Sequence, residues 1–193
     1  MQTTVKRYPQ QFKRSVMIAM LMFLMGQMLL NAQVFQRLNE ENGLPINLVS
    51  DIIQDKYGFI YLISNQSICK FDGKEIHSSC LHLDEQINEA IILTEYDYFV
   101  AVGDKFIRFQ DQKITYEYSF DEIITSLELY KTGVLIGTSG KGVHHYSFST
   151  EEISKLDIEG FVNDITIIED DIYVITDTEL IKMNSNLNQV KKS

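Results

Sequence analysis

The chain of 193 residues is 45% hydrophobic and 11% aromatic, enough to bury a substantial core, and its formal net charge is -10. With the four cations of residues 1–32 set aside, 13 basic residues stand against 27 acidic ones, a balance that repels phosphate backbones and argues against nucleic acid as a partner. The two cysteines, Cys69 and Cys80, are too few for a disulfide framework; separate thiols are the simpler interpretation, although the two could pair in an oxidising compartment.

The N-terminal residues 1–32 have the pattern of a secretory signal peptide. Basic residues precede an apolar run over 15–30, and the small residue Ala32 follows it. The run is shorter than the roughly 20 apolar residues of a membrane-spanning helix. We therefore predict a signal peptide helix cleaved after Ala32, which would place residues 33–193 in the periplasm or otherwise outside the cytoplasm. Because Leu30 is large for its position, an uncleaved signal anchor stays open as the one attachment to a membrane.

The stretch 43–73 contains three short apolar runs divided by turns. β-Branched and aromatic residues dominate the runs, and Asp and Gly cluster between them. Asp55 can hydrogen-bond the backbone of its own turn, and Gly58 can adopt a positive φ without strain. The pattern predicts a small antiparallel meander. Before it, 34–38 is predicted as a lone strand that completes the last unit of a ring.

The same pattern returns three more times along the chain. Large apolar anchors recur at spacings of 38, 37 and 38 residues, and another large residue follows each anchor by 21 or 22 positions. Four strands in a period near 40 residues are typical of a β-propeller blade, although β-solenoids and stacked meanders also repeat. The anchors are Val49, Ile87, Ile124 and Val162.

Four strands are predicted in each copy. The second strands are predicted at 59–63, 98–102, 134–136 and 172–175. The third strands are predicted at 68–71, 106–109, 143–146 and 180–183. The fourth strands are predicted at 75–77, 114–118, 153–156 and 187–190. The fold class is therefore all-β: four four-stranded antiparallel meanders, forming an incomplete propeller with blades over 43–80, 81–118, 119–158 and 159–193.

Particular motifs resemble the two-component regulator propeller repeat over about residues 35–185. These are Gly43-Leu44-Pro45, the turn Gln54-Asp55-Lys56-Tyr57-Gly58 and the close Phe71-Asp72-Gly73, with Gly137-Thr138 and Gly142 kept in the third copy. The chain departs from the pattern at Tyr61, where Trp is usual, and its second and fourth copies lack the QDxxG turn. The structural turn residues are predicted to be Asp55, Gly58, Tyr61, Asp72, Gly73, Gly137 and Gly142.

This resemblance implies a role in sensing. In that family the repeats form the periplasmic sensor region of hybrid two-component systems of Bacteroidetes, where they are implied to sense glycans and to signal through a membrane helix to a kinase. We therefore expect a non-enzymatic ligand-binding propeller that takes a glycan or oligosaccharide. Because no kinase region or further apolar span follows in the sequence, we expect an N-terminal piece of a longer sensor. A four-bladed ring and an assembly with other propeller chains are the alternatives.

The residues themselves offer no catalytic, cofactor or metal site. His144 and His145 are adjacent on a predicted strand and so point to opposite faces, which prevents them from binding one metal ion together. The glycine-rich segment 137–142 precedes a strand and not a helix, so it is interpreted as a turn and not as a phosphate cradle. No cofactor is expected. A secreted module that pairs with other propellers is the second functional hypothesis, and a lyase- or sialidase-like enzyme is the third.

Aromatic residues in the turns are candidate sugar contacts. Sugar rings stack on aromatic faces, and Tyr57, Tyr96 and Tyr130 fall in corresponding turns of successive copies. If these turns lie on one side of the disc, the three tyrosines could line a single face of it.

Overall fold

The computed structural model describes residues 48–74, 76 and 80–187, the backbone of 189–192, and the single residues Met17, Met20 and Leu44. The predicted strand over 34–38 lies outside these residues, as does the predicted signal peptide except for Met17 and Met20, which are helical and exposed. Among the described residues no helix has the length and apolar character needed to cross a membrane.

The described residues form sixteen strands in four separate antiparallel sheets, each a four-stranded meander in chain order. The first sheet comprises β1 (Asp51–Gln54), β2 (Ile60–Ile63), β3 (Ser67–Phe71) and β4 (Leu81–His82). The second comprises β5 (Ile87–Thr94), β6 (Asp97–Val102), β7 (Lys105–Gln110) and β8 (Lys113–Ser119). The third comprises β9 (Ile124–Tyr130), β10 (Gly133–Thr138), β11 (Val143–Ser147) and β12 (Ile153–Lys155). The fourth comprises β13 (Val162–Ile168), β14 (Asp171–Thr176), β15 (Leu180–Met183) and β16 (Gln189–Lys192).

The predicted all-β fold of four meanders is thereby confirmed, and the repeat anchors mark its architecture. Ile87, Ile124 and Val162 are the first residues of β5, β9 and β13, and Val49 lies just before β1. Val162 and Ile124 are fully buried because they enter the contact with the preceding sheet. The regular spacing of anchors therefore reflects the regular stacking of sheets.

Apolar side chains hold successive sheets together. We call the face of a sheet that points to the next sheet along the chain its leading face, and the opposite one its trailing face. The first interface joins Tyr61, Ile63 and Ile68 to residues of the second sheet such as Val100. The next two interfaces are built in the same way. In the second, the ring of Phe99 stacks on Phe106 at 5.2 Å and meets Tyr146 edge-on at 5.4 Å.

One predicted strand was wrong. The fourth strand of the first sheet is Leu81–His82, after the predicted 75–77, of which the structure describes Ile76 alone. Ile76 forms only an isolated bridge with Phe71. Ile76 instead packs, with Leu44, on the trailing face of the first sheet against Leu62 and Cys69. Burial of these apolar groups favours the packing of Ile76 on the face of the sheet.

The two cysteines are joined. Cys69 in β3 forms a disulfide with Cys80, so the separate thiols that the sequence favoured are replaced by a bridge. The bond ties Cys80 to the trailing face, where Cys69 is almost fully buried. We call Leu44, Ile76 and the Cys69–Cys80 disulfide together the cap of the first sheet.

Replacing Cys80 with Ser should lower the free energy of unfolding by about 2 kcal/mol. The disulfide spans 11 residues, and cross-links that close loops of similar length stabilise chiefly by restricting the unfolded chain. Urea denaturation of the purified protein with and without reductant would measure the effect. Reductant should destabilise the wild type by the same amount and leave the variant unchanged; a wild type that is indifferent to reductant would contradict the prediction.

Candidate functional site

A cavity lies where the first strands of the sheets meet. Residues of β1, β5, β9 and β13 and the loops before them, with Ile63 and Asn65 at the end of β2, border an open cavity of about 590 Å³, which we call the axial cavity. Its size falls within the range of small-molecule sites in proteins. The cavity is lined by Ser50, Asp51, Ile63, Asn65, Gln86, Ile87, Asn88, Glu89, Ala90, Ile123, Ile124, Thr125, Phe161 and Asn163.

Residues on either side of the four anchors supply much of this lining. Gln86 and Asn88 flank Ile87, and Phe161 and Asn163 flank Val162. Side chains alternate along a strand, so the neighbours of a buried anchor point away from the sheet contact. The sequence analysis did not single these residues out, although the anchor positions could have located them.

One position of the repeat places acidic groups near the axis. Asp51, Glu89, Ser126 and Asp164 are equivalent, because each pairs with the corresponding residue of the second strand of its sheet. The Ser126 hydroxyl donates a 3.2 Å hydrogen bond to Asp164, so the third and fourth copies are linked directly. Three of the four copies thus carry a carboxylate at this position.

The neighbouring carboxylates influence the protonation of Glu89. Burial, and then the charges of Asp51 and Asp164, raise the pKa of Glu89 from the ordinary 4.5 to about 7. None of the described residues that line the cavity is a Lys, Arg or His. The axial cavity is therefore a site of negative potential, suited to uncharged or cationic groups.

Replacing Glu89 with Gln should stabilise the protein above neutral pH. Since the pKa of Glu89 is raised in the fold, its ionisation opposes folding; the penalty is absent below about pH 4.5 and complete above about pH 7. We expect a gain of about 1 kcal/mol at about pH 8, discounted because the cavity is open to solvent, and none at about pH 4. Denaturant unfolding of both proteins at the two pH values would test this. An equal gain at both values would mean that titration of Glu89 is not the cause.

Hydrogen bonds fix the walls of the axial cavity. The Ser50 hydroxyl donates to the carbonyl of Ile63 at 3.0 Å, and the Asn88 side chain accepts from the Gly103 amide at 2.8 Å. The Thr125 hydroxyl donates to the carbonyl of Val162 at 2.6 Å, across the third interface. The cavity is therefore held in shape by contacts between and within sheets.

A second concavity lies at the rim of the first interface. This rim cleft of about 320 Å³ is lined by Asp55, Tyr57, Phe59, Thr94, Glu95 and Tyr96. Tyr57 and Tyr96 are 66% and 59% exposed, so their rings are available to a ligand. Beside them the Lys70 ammonium lies 3.6 Å from the centre of the Phe59 ring and 2.6 Å from Glu95, which neutralises that carboxylate locally.

The three turn tyrosines do not share one surface. Tyr57 and Tyr96 meet in the rim cleft, but Tyr130 is buried in the third interface, where its hydroxyl donates to the carbonyl of Ser185. The end of β9 is folded into the contact with the fourth sheet, which removes Tyr130 from the rim.

The first predicted turn is built around a buried carboxylate. Asp55 accepts hydrogen bonds from the amides of Tyr57 and Phe59 at 2.9 and 3.0 Å, and from the Tyr61 hydroxyl at 3.3 Å. Gly58 closes the turn with φ of 90°. Burial, with the charge and hydrogen bond of Asp55, raises the pKa of Tyr61. Tyr61 is itself 4% exposed, within the first interface, and so joins the turn to the packing of the sheets.

The other predicted turn residues differ in why glycine or aspartate is needed. Asp72 accepts a 2.8 Å hydrogen bond from the amide of Lys74, and the next residue, Gly73, has φ of 95°. Gly142, with φ of 75°, lies in the turn before β11. Gly137 was predicted as a turn residue but lies inside β10, where an added Cβ would be 2.7 Å from Cγ1 of Val162. Close approach of the fourth sheet, and not a turn, requires glycine there.

The adjacent histidines lie on opposite faces of β11. The His144 ring meets Phe120 at 4.8 Å, and the His145 ring meets Tyr130 at 6.3 Å. Burial lowers the pKa of both imidazoles, so both are neutral packing residues near neutral pH. Within the described part of the chain, no three His, Cys, Asp or Glu side chains are grouped in a way that could hold a metal ion.

Comparison with known proteins gives a structural relationship. No protein-family model matches the sequence, and no curated protein matches it. Solved structures similar to this chain include the extracellular domains of two proteins of B. thetaiotaomicron described as hybrid two-component systems, BT4673 and BT3049. The first gives a TM-score of 0.63 at 16% identity over 82% of this chain and 23% of its own. The second gives 0.59 at 19% identity over 80% of this chain and 26% of its own.

The WD40 domain of Neurospora crassa Pan2 is similar as well, with a TM-score of 0.56 at 12% identity over 82% of this chain and 54% of its own. These likenesses show that the four sheets are stacked as propeller blades. The chain spans about a quarter of the length of the two sensor domains. The propeller fold that the sequence resemblance implied is confirmed by these likenesses.

Proposed function

We propose that this chain is a ligand-binding section of an extracytoplasmic two-component sensor and that the axial cavity holds the ligand. The observation that supports this most is the origin of the cavity: all four copies of the repeat contribute to its lining. A ligand held there contacts several sheets at once. Binding therefore favours one arrangement of the sheets over others, which is the event that a sensor passes on.

The chemistry of the lining favours a neutral or amino-bearing saccharide. Carboxylates and amides such as Glu89, Gln86 and Asn163 hydrogen-bond hydroxyl and ammonium groups. Phe161, 40% exposed at the same cavity, offers an apolar face to a sugar ring. Uronic acids and sulfated sugars would meet uncompensated negative charge, because the described lining contains no cation. The exposed rings of the rim cleft lie at the opposite ends of β1 and β5 from the axial cavity and form a separate aromatic surface.

The role proposed is binding without turnover. The acidic residues near the axis are here ligand contacts and not an acid–base pair, and the resemblance to sensor domains supports this assignment. The predictions of a cleaved signal peptide and of a longer parent sensor stay predictions, since they concern residues that the structure does not describe.

Calorimetric titration of the purified protein with oligosaccharides would test the proposed function. We expect a neutral or amino-sugar oligosaccharide to bind and its uronic-acid counterpart not to bind. Asn163→Ala and Glu89→Gln should each weaken binding at least about tenfold, the loss of one good hydrogen bond. Glu117→Gln, on the exposed strand β8, is the matched control and should bind as the wild type does.

Preference for the acidic oligosaccharide would overturn the assignment of the axial cavity. Release of reducing ends from the bound sugar, lost in Asp51→Asn or Glu89→Gln, would instead show an enzyme. Equal affinity of the cavity variants and the control would place the ligand elsewhere on the protein.

A further inference from the structure

The rim cleft gathers exposed aromatic rings from two sheets. Tyr57 lies in the turn between β1 and β2, and Tyr96 lies in the turn between β5 and β6, so the two rings come from opposite sides of the first interface. Single exposed apolar residues are common on protein surfaces, but these two rings and that of Phe59, 39% exposed, border one concavity of about 320 Å³. This volume is at the lower end of the range of small-molecule sites, so the cleft suits one small ring compound.

Hydrogen bonds fix the backbone of both tyrosines. The Tyr57 amide donates to the Asp55 carboxylate at 2.9 Å, and the Tyr96 amide donates to the Thr94 hydroxyl at 3.2 Å. The carbonyl of Tyr96 also accepts from the amide of Asp111 at 2.8 Å. Because the two turns are ordered before a ligand arrives, little conformational entropy is lost when one binds.

The charges at the rim cleft are balanced. The Lys70 ammonium lies 2.6 Å from Glu95, and the Lys56 ammonium lies 5.1 Å from the centre of the Tyr57 ring. These two cations stand against two carboxylates, Glu95 and the buried Asp55. The axial cavity differs, since its described lining contains carboxylates and no cation. The rim cleft therefore favours an uncharged ligand.

Polar groups among the rings favour a sugar over an apolar ligand. The Glu95 side chain is 43% exposed, and its carboxylate accepts hydrogen bonds from hydroxyl groups. The hydroxyls of Tyr57 and Tyr96 can both donate and accept. An apolar ring or a proline-rich peptide would remove water from these groups without replacing its hydrogen bonds, which is unfavourable. A sugar ring presents C–H groups to the aromatic faces and hydroxyls to the polar atoms.

A smaller recess adjoins the rim cleft. It has a volume of about 50 Å³, shares Glu95 and Tyr96 with the cleft, and is also lined by Tyr98 and Gln112. This is room for a few water molecules. The hydroxymethyl arm of a hexose fits such a space and can hydrogen-bond the amide of Gln112.

We propose that the rim cleft is a second binding site, which takes a neutral hexose unit stacked on Tyr57 and Tyr96 with its hydroxymethyl arm in the recess. The site is separate from the axial cavity, because the two lie at opposite ends of β1 and β5. The inference does not depend on a ligand in the axial cavity. A single hexose in a small open cleft binds weakly, with a dissociation constant of about 1 mM.

Nuclear magnetic resonance of the protein with isotope-labelled tyrosine rings, titrated with methyl β-D-glucopyranoside, would test the site. Every ring hydroxyl of this glucoside is equatorial, so both faces of its ring present C–H groups. None of the described residues that line the axial cavity is a tyrosine, so tyrosine signals do not report on that cavity directly. The signals of Tyr57 and Tyr96 should shift together with one dissociation constant. The signal of Tyr118, 44% exposed on β8, should stay in place.

Two variants test the role of the rings. Tyr96→Ala should raise the dissociation constant measured at Tyr57 about tenfold, because one of the two stacking faces is lost. Tyr118→Ala removes an exposed tyrosine outside the cleft, is the matched control and should bind the glucoside as the wild type does. Far-UV circular dichroism would show that both variants are folded. An equal loss of affinity in the two variants would overturn the proposal.

Three further results would also overturn it. Signals of Tyr57 and Tyr96 that do not move at about fifty times the expected dissociation constant would exclude a hexose from the cleft. Equal shifts with the acyclic polyol sorbitol would show that no sugar ring is recognised. Shifts caused by a proline-rich peptide, and not by the glucoside, would assign the cleft to a protein partner. Each result is independent of the calorimetric test of the axial cavity.

Discussion

Replacing Asp55 with Ala is expected to lower the free energy of unfolding by about 3 kcal/mol. The carboxylate is 6% exposed and accepts hydrogen bonds from two backbone amides and from the Tyr61 hydroxyl. Alanine would leave these donors without their acceptor in a place that water reaches poorly, and hydrogen bonds to charged groups are worth about 1.5–3 kcal/mol each. Because Tyr61 packs in the first interface, the loss should also loosen the contact between the first two sheets.

Two further variants separate the causes. Asp55→Asn keeps an oxygen acceptor for the amides and should lose only about half as much stability, since the charge alone is removed. Asp72→Ala removes an aspartate that also caps a turn but lies at the exposed surface, and should cost no more than about 1 kcal/mol. Thermal and urea unfolding of the three variants would measure these differences. Equal losses in Asp55→Ala and Asp72→Ala would show that burial of the carboxylate is unimportant.

The repeat could be predicted because its signal is local and recurs. Three of the four anchors are buried against the preceding sheet, and Val49 packs beside Leu44 and Leu62, so packing places a large apolar residue at the same position in every copy. Four copies in register identify a stack even where single runs are ambiguous. The turn at Asp55 was likewise predictable, because the side chain acts on backbone groups only a few residues away.

Features that depend on contacts between distant residues were missed. The segment after Phe71 has strand-like residues at 75–77, but Ile76 is drawn onto the trailing face by Leu44 and Leu62, which no local pattern reveals. Gly137 shows a second reason why the sequence is insufficient. A glycine can be required either by a positive φ or by the close approach of another segment of the chain. Only the position of Val162 in the next copy decides between them.

The candidate site could not be predicted from the sequence for the same reason, because its residues come from distant parts of the chain. The residues around each anchor are polar in several copies, but nothing in one copy shows that Glu89 and Asn163 face a single cavity. That juxtaposition arises from the stacking of sheets, which brings positions from separate repeats to the axis. For the same reason the sequence could not tell that Tyr130 is buried while Tyr96 is exposed.

Replacing Gly142 with Ala is expected to lower the free energy of unfolding by at least about 3 kcal/mol. A Cβ at this position would lie 1.7 Å from the carbonyl oxygen of Ile158, which belongs to the backbone of the linker between the third and fourth sheets. The amide of Gly142 donates to the carbonyl of Gly160 at 3.1 Å, so this turn and the linker are already bonded at close range. To relieve the clash, the turn at Gly142 would have to move away from the linker at Ile158. This movement would also separate the third and fourth sheets.

Gly73→Ala supplies the matched control for that clash. Gly73 also has a positive φ, of 95°, but a Cβ there would have no atom within 4 Å. Its substitution should cost only the conformational strain of the left-handed region, about 1 kcal/mol. Urea unfolding of the two variants, followed by far-UV circular dichroism, would give the difference. Since both glycines share the backbone requirement, the excess loss in Gly142→Ala measures how closely the third and fourth sheets are joined at the linker, and equal losses would show that this contact does not hold them.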